Sequence, residues 1–303
     1  MPITAIIATA NRANVLKRTL ESLAGQAVRP AQVIVVDGSD RDDTHALLLT
    51  DLIGNLQLPV QYQKAQVKGA ASQRNEGMAL ALHPYILFMD DDILLEPHCL
   101  ERLWNCLNSN EKTGGANAMV TNQQYQPPGK VTRFMYRLLS GQHLPTYAGK
   151  CIGPAWNLLP EDRADLPECN QVEWLNTTCT LYRKAALPTP VFHSIFTGYS
   201  LMEDLSLSLQ VGKSWLLYNA RTARIFHDSQ PGSHKNNIRE MARMELVNRH
   251  YIMTSLLNRT GLVNHAKLVV FQLFGILTSS QRFSSAVWLG KLDGIKAIAN
   301  NKQ

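Results

Sequence analysis

The apolar run Tyr85-Ile86-Leu87-Phe88-Met89 ends abruptly in three adjacent carboxylates, Asp90-Asp91-Asp92. Side chains of this kind in an unbroken row read as a buried central strand. Three carboxylates at its end repel one another, and burying them unpaired is costly. The fold must therefore set that strand end beside something cationic or leave it open to water. Oxygen ligands at the mouth of a parallel sheet suit Mg²⁺ or Mn²⁺ bridging nucleotide phosphates. The alternative is a solvated acidic turn in which Asp92 caps a helix starting near Pro97.

The residues before the triplet supply a frame for it. Ile3 to Thr9 reads as a strand, followed by a helix to about Gly25 that Asn11 or Asn14 can cap. Ala31 to Asp37 is a second apolar strand ending in a carboxylate, and the turn Gly38-Ser39-Asp40 follows. A helix is expected from Asp42 to Leu52, a third strand from Pro59 to Ala65 and another helix from Ala70 to Leu82. Strands alternating with helices across short loops argue for a parallel, doubly wound α/β sheet. Such sheets bind ligands beyond the carboxyl ends of their strands, where the strand order reverses. Asp37 and the triplet both occupy carboxyl ends.

Five segments carry a family resemblance. They are Ala8-Thr9-Ala10-Asn11-Arg12, Val35-Val36-Asp37-Gly38-Ser39, Gln73-Arg74-Asn75-Glu76-Gly77, the triplet, and Glu203-Asp204-Leu205-Ser206-Leu207-Ser208-Leu209. In this order, over about residues 3 to 230, the chain resembles the family 2 inverting nucleotide-sugar glycosyltransferases of the GT-A fold. The resemblance implies an α/β, Rossmann-like, mostly parallel central sheet flanked by helices, with a C-terminal helical extension. Residues 1–230 would form the GT-A domain, with 1–120 as its nucleotide-binding half and 121–230 as its acceptor half. Residues 231–303 would form a basic helical extension.

The resemblance also implies roles. Asp37 would accept a hydrogen bond from the imide N–H of a pyrimidine base; otherwise it caps the next turn or helix. Arg74 would face the base or the phosphates, or be an exposed helical arginine. Thr9, Asn11, Arg12, Asp90 and Asp91 would line the nucleotide-sugar site, with Asp90 against the ribose. Asp92 would ligate Mn²⁺ or Mg²⁺. Asp204 would be the base that deprotonates an acceptor hydroxyl, and Glu203 would orient acceptor hydroxyls. Both could instead be carboxylates stabilised in a first helical turn, since Gly212 closes the segment that they open. His227 would be a second metal ligand or a structural histidine. His234 and Lys235 would lie on a mobile loop over the diphosphate, unless His234 is a buried or surface structural histidine. Trp174 and Asn176, in a segment read as a strand to Arg183, are acceptor-side candidates, with core packing the alternative for Trp174. Residues 123–165 read as a variable acceptor loop with a short helix from Val131 to Leu139.

Composition narrows the setting. The five cysteines, at 99, 106, 151, 169 and 179, form no Cys-x-x-Cys pair, so reduced thiols are expected. Met1-Pro2-Ile3 runs straight into the first strand, an arrangement that points to the cytoplasm. Residues 221–303 hold 12 Lys/Arg against 4 Asp/Glu, while residues 1–220 hold 18 against 20. The ten apolar-rich residues from Leu268 to Leu277 are too few to span a bilayer, which takes about 20. Basic helices with an apolar face can lie on an anionic membrane surface, or simply pack on the catalytic domain. No nucleic-acid motif accompanies the charge.

The sequence thus predicts a metal-dependent transferase moving one sugar from a UDP- or dTDP-sugar to a hydroxyl of a glycan or lipid-linked acceptor. The Gln-x-x-Arg-Trp motif of the family's processive synthases is absent. Two rivals remain at this stage. A sugar-nucleotide pyrophosphorylase would need a Gly-rich loop that Ala8 to Arg12 lacks. A non-catalytic nucleotide-sugar-binding partner would not need Glu203-Asp204.

Overall fold

The structure, a computed structural model, describes residues 1–229, 237–279 and 284–300. In chain order the elements begin with β1 (Ile3–Thr9), α1 (Ala13–Ala24), β2 (Gln32–Asp37), α2 (Asp43–Leu48), α3 (Asp51–Leu56) and β3 (Val60–Lys64). Then come α4 (Ala70–Leu80), β4 (Tyr85–Asp90), β5 (Ile93–Leu95), α5 (Cys99–Asn108), β6 (Thr113–Val120) and α6 (Lys130–Ser140). The remainder comprises β7 (Cys151–Ile152), β8 (Trp156–Asn157), β9 (Cys169–Val172), β10 (Cys179–Arg183), α7 (Glu203–Val211) and β11 (Leu216–His227). It ends with α8 (Ile238–Tyr251), a π-helical turn at Ile252–Leu256, α9 (Leu262–Thr278) and α10 (Ser285–Asn300). The chain divides into two compact units: Met1–Tyr125 with Leu159–Gln230, and Gln126–Leu158 with Pro231–Gln303.

The first unit is built on a nine-stranded mixed sheet in the order β3-β2-β1-β4-β10-β6-β11-β5, with β9 paired to β11. Strands β1, β2, β3 and β4 run parallel, with Thr9 opposite Asp37 and Ala8 opposite Asp90. β2 lies on one side of β1 and β4 on the other, so the order reverses at β1 beside both carboxylates, where open α/β sheets bind ligands. The strands are apolar on both faces because helices cover both. Ile3, Ala5, Ile7, Leu87 and Met89 pack with Leu16, Leu20 and Leu23 of α1 and with Leu100 and Leu103 of α5. Against the other face α4 approaches so closely that a Cβ on Gly77 would lie 2.5 Å from Ile6 Cγ2. That contact explains a glycine inside a helix, where it costs about 1 kcal/mol.

β10 enters antiparallel between β4 and β6. β11 runs parallel to β6, with an irregularity between Ala220 and Arg224, and then antiparallel to β5, setting His227 opposite Ile93. This bulged strand carries a residue from far along the chain to the position next to Asp92.

Several local expectations change. The helix expected over 42–52 is two short helices. Neither Asn11 nor Asn14 caps α1: Arg12 holds the N-cap position without a side-chain bond, and Asn11 Oδ1 accepts from Asp40 N at 3.2 Å. Only Cys179–Arg183 of the segment from Trp174 is strand, because the Thr180 hydroxyl bonds to the Asn176 carbonyl and holds the intervening residues in a bend. Reduced thiols are corrected at one pair. Cys106 and Cys169 form a disulfide across 63 residues, with Cα atoms 5.6 Å apart, because α5 and β9 both neighbour β11. Residues 126–158, expected to belong with the acceptor half, fall in the second unit.

In the second unit Leu246, Met253 and Leu268 form a small core against which Ile298 packs. Glu245 of α8 binds both Arg249 and Lys291, and Arg249 stacks its guanidinium 4.3 Å over Phe271. Burial raises the pKa of Glu245, but the two cations outweigh it and hold the carboxyl down at about 2. Among the described residues, no helix is long and apolar enough to cross a membrane.

Candidate active site

The site residues all belong to the first unit, at the carboxyl ends of β1, β2 and β4. Asp90 ends β4, and Asp91 and Asp92 form the turn that follows, both of them buried. Asp91 turns inward: its carboxylate accepts from Thr9 Oγ1 at 2.6 Å and Arg12 Nη1 at 3.0 Å, and its carbonyl from Thr19 Oγ1 at 2.7 Å. Burial pushes its pKa up to about 6, against the opposing pull of Arg12 and Thr9. Asp92 accepts from Arg12 Nη1 at 3.1 Å and meets His227 Nε2 at 3.1 Å. It does not cap α5.

Asp90, Asp92 and His227 each offer a ligand atom within 4.8 Å of the others. Two carboxylate oxygens and an imidazole nitrogen form a donor set suited to Mn²⁺, and acceptable to Mg²⁺. Gln123, which the sequence reading did not single out, lies with Nε2 3.0 Å from His227 Nδ1. Asn122 brackets the His227 backbone, donating to its carbonyl at 2.9 Å and accepting from its N–H at 3.1 Å. Such outer bonds fix the ring orientation of a metal-binding histidine.

Arg74 lies deeper than expected. It is 4% exposed, donating through Nη2 to Asp90 Oδ1 at 2.6 Å and through Nη1 to Glu203 Oε1 at 2.8 Å. Its terminal nitrogens are thus engaged by carboxylates, and the residue links the strand end to the first turn of α7. Asp204 is half-buried and accepts from the Leu205 N–H at 2.6 Å. Burial raises the pKa of Glu203, with the Asp204 charge adding and Arg74 opposing. Burial raises that of Asp204 as well, against its bond from Leu205 and the charge of Arg74.

The loop before α7 is unusual. Gly198, Ser200 and Met202 all have positive φ, at 58°, 59° and 73°. Gly198 bridges to Gly69, whose φ is 136° and where a Cβ would lie 3.0 Å from the Gly198 backbone. Ser200 Oγ accepts from Ala71 N at 3.1 Å. These contacts tie the loop to the start of α4, and strained residues of this sort cluster at functional sites. Tyr199, on the same loop, has its pKa raised by burial and by the charges of Asp90, Glu203, Asp92 and Asp204. No motif marked it, because only the loop backbone brings it to these carboxylates.

At the end of β2, Asp37 is fully buried. It accepts from Ser39 N at 2.9 Å, from the Ser39 hydroxyl and from Tyr62 Oη at 3.2 Å, with Lys64 Nζ at 3.8 Å. Burial and the Asp37 charge push the Tyr62 pKa up to about 12. Neither Lys64, which the parallel register sets opposite Asp37, nor Tyr62 was findable from sequence. Asn11 joins the β1 and β2 loops, its N–H donating to Ser39 Oγ at 2.6 Å. On the acceptor side Trp174 is 5% exposed and takes the packing alternative rather than offering a ring face. Asn176 Oδ1 is buried with no hydrogen-bond partner among the described residues. His234 and Lys235 lie outside the described residues.

Similarity to known proteins bears on the fold. Among the solved structures that share it are two nucleotide-sugar complexes. One is a mannosyltransferase, PcManGT from Pyrobaculum calidifontis, in complex with GDP-Man and Mn²⁺ (13% identity, TM-score 0.53, covering 98% of this chain and 80% of that one). The other is S. aureus TarS 1-349 in complex with UDP-GlcNAc (14% identity, TM-score 0.53, covering 98% and 89%). No match to a curated protein was found. The family model for glycosyl transferase family 2 matches residues 4–188, well over half of the chain, and this protein therefore belongs to that family of glycosyltransferases.

Proposed function

We propose that this chain is a metal-dependent inverting glycosyltransferase that moves one sugar from a UDP- or dTDP-sugar to a hydroxyl of a glycan or lipid-linked acceptor. One observation carries the reading: Arg74 spans from Asp90 to Glu203, holding the Glu203-Asp204 pair beside the Asp90-Asp92-His227 cluster. Asp90, Asp92 and His227 would hold Mn²⁺ or Mg²⁺, which supplies positive charge opposite the departing diphosphate. The complexes of the two similar structures, one with GDP-Man and Mn²⁺ and the other with UDP-GlcNAc, support a nucleotide-sugar donor, and the second of them a UDP-linked one.

Asp204 is the general base. Its carboxylate takes the proton of the acceptor hydroxyl as that oxygen forms a bond to the anomeric carbon. The bond from that carbon to the diphosphate breaks on the opposite face, and the nucleotide leaves with the electron pair, so the anomeric configuration inverts. A base needs an unbonded lone pair and access to the acceptor. Half-buried Asp204 suits this better than Glu203, which is buried and clamped by Arg74. Glu203, whose Oε1 is held by Arg74, would orient an acceptor hydroxyl only through its other carboxylate oxygen. Asp37 is fully buried beneath Ser39, Tyr62 and Lys64, and would read the base only once that shell opens. The setting is polysaccharide assembly for the cell envelope, at the cytoplasmic face of a membrane.

Incubation with Mn²⁺, a panel of nucleotide sugars and simple glycan acceptors tests the reading. Nucleotide release is followed together with mass and anomeric configuration of the product. Transfer with inversion from a UDP- or dTDP-sugar is expected; retention, or release of a sugar 1-phosphate, contradicts it.

A further inference from the structure

Charge and exposed apolar surface are both concentrated in the second unit. It contains 14 Lys/Arg against 3 Asp/Glu, a balance of +11 in a chain whose total is +6. Among the described residues its three acids are all paired: Glu240 with Arg243, Glu245 with Arg249 and Lys291, and Asp293 with Arg239. Counted over the unit, cations exceed acids by 11. Residues 126–158 contain no Asp or Glu at all.

Among the described residues, 13 of 19 exposed large hydrophobic side chains belong to this unit although it is the smaller of the two. They fall on helical stripes. On α9, Leu262, Ala266, Val269, Leu273 and Leu277 are exposed at a spacing of four, three, four and four residues, while Leu268 and Ile276 are buried. On α10 Trp288, Leu292, Ile295 and Ala299 are exposed at a spacing of four, three and four residues, with Leu289 exposed beside them, while Gly290 and Gly294 are buried. On α6, Val131, Phe134 and Leu138 face outward, and the basic residues Lys130, Arg133 and Arg137 follow the same spacing one position earlier. Met135, Tyr136 and Leu139 make the buried side of α6, so the outward stripe is surplus to the core.

An apolar stripe edged by cations is the pattern of a helix lying in an anionic lipid surface. We infer that the outward stripes of α6, α9 and α10 dock this protein onto a bilayer rich in anionic lipid. Charge selects the occupant. A second copy of the chain would bring +11 against +11, whereas anionic headgroups neutralise the cations as the apolar residues enter the acyl boundary. The helices lie in the surface rather than cross it: α9, the longest, has 17 residues, short of the roughly 20 needed to span. The inference rests on the proposed function only for its purpose, which is to hold the transferase where a lipid-linked acceptor is presented.

Co-sedimentation of the full chain with vesicles tests it. Vesicles of phosphatidylcholine alone are compared with vesicles containing phosphatidylglycerol, at low and high salt. Strong binding is expected only to the phosphatidylglycerol vesicles, weakened on the order of tenfold or more at high salt as the surface charge is screened. Val269→Glu with Leu273→Glu, both exposed, should abolish sedimentation with unchanged melting and nucleotide binding; Arg133→Glu with Arg137→Glu on α6 should weaken it. Equal binding to both vesicle types, no binding to either, or stripe variants that bind as wild type would overturn the inference. So would a dimer in sedimentation velocity that the α9 variants dissolve, since that would make a second copy the occupant. No donor, acceptor or turnover enters this assay, so its failure leaves the transferase reading standing, and failure of transfer leaves the docking reading standing.

Discussion

Arg74 shows how a motif residue gets its meaning from what it faces. A guanidinium with carboxylates on both sides is stable when buried, but the carboxylates become costly if it is removed. Taking one partner out of a buried ion pair costs about 3–5 kcal/mol. Arg74→Met should therefore lower thermal stability markedly and abolish transfer, with Arg74→Lys recovering part of the stability, because it keeps the charge but loses the two-pronged grip. Melting curves and initial rates check both. Asp204→Asn keeps the shape of the base but cannot take a proton, so turnover should fall by roughly 10²–10⁴-fold with nucleotide binding little changed. The same assignment fixes a pH dependence. Burial raises the Asp204 pKa, and a base works only when deprotonated, so kcat/KM should fall on acidification at a pH above the ordinary aspartate value near 4. A rate flat down to that value would move the base elsewhere. The triplet, Asp37 and Glu203-Asp204 were legible because strand ends and helix starts are marked by local pattern. Gln123, Tyr62 and Tyr199 were not, because their positions depend on pairing and loop geometry that no short pattern encodes.

At the scale of elements, the site depends on two devices. The bulged β11 delivers His227 to Asp92. The loop before α7 is pinned to the start of α4 through the close approach of Gly69 and Gly198. Gly69→Ala would need a side chain at φ 136°, 3.0 Å from the Gly198 backbone. It should displace the loop and reduce turnover more than nucleotide affinity, as separate kcat and binding measurements would reveal. The first four strands, α1 and α4 were readable from periodicity, since each is a local run with its own boundaries, whereas the break between α2 and α3 was not. The strand expected from Trp174 was too long because side-chain bonds to backbone hold Asn176 to Thr178 in a bend. The Cys106–Cys169 pair was invisible because it joins elements that only sheet topology makes neighbours.

At the scale of the whole molecule, the chain divides into two compact units, in one of which 126–158 is grouped with the C-terminal helices. That grouping was not legible because residues 123–165 carry no sustained period. Within the second unit, Glu245 is the acid that joins α8 to α10 through Lys291. Its folded pKa of about 2 lies below the ordinary 4.5, so its contribution is full above about 4.5 and is lost as pH falls toward 2. Glu245→Gln should lower stability at neutral pH, on the order of 1–3 kcal/mol, and flatten its decline over that acid range in melts of the two proteins. The central claim is that a metal held by the Asp90-Asp92-His227 cluster binds the donor diphosphate beside Asp204. Titration calorimetry of UDP and dTDP, with Mn²⁺ and with chelator, tests it most directly in the wild type and in Asp92→Ala. Tight binding that needs the metal, and loss of that dependence in Asp92→Ala, are the predicted results. Equal wild-type affinity with and without chelator would contradict the account.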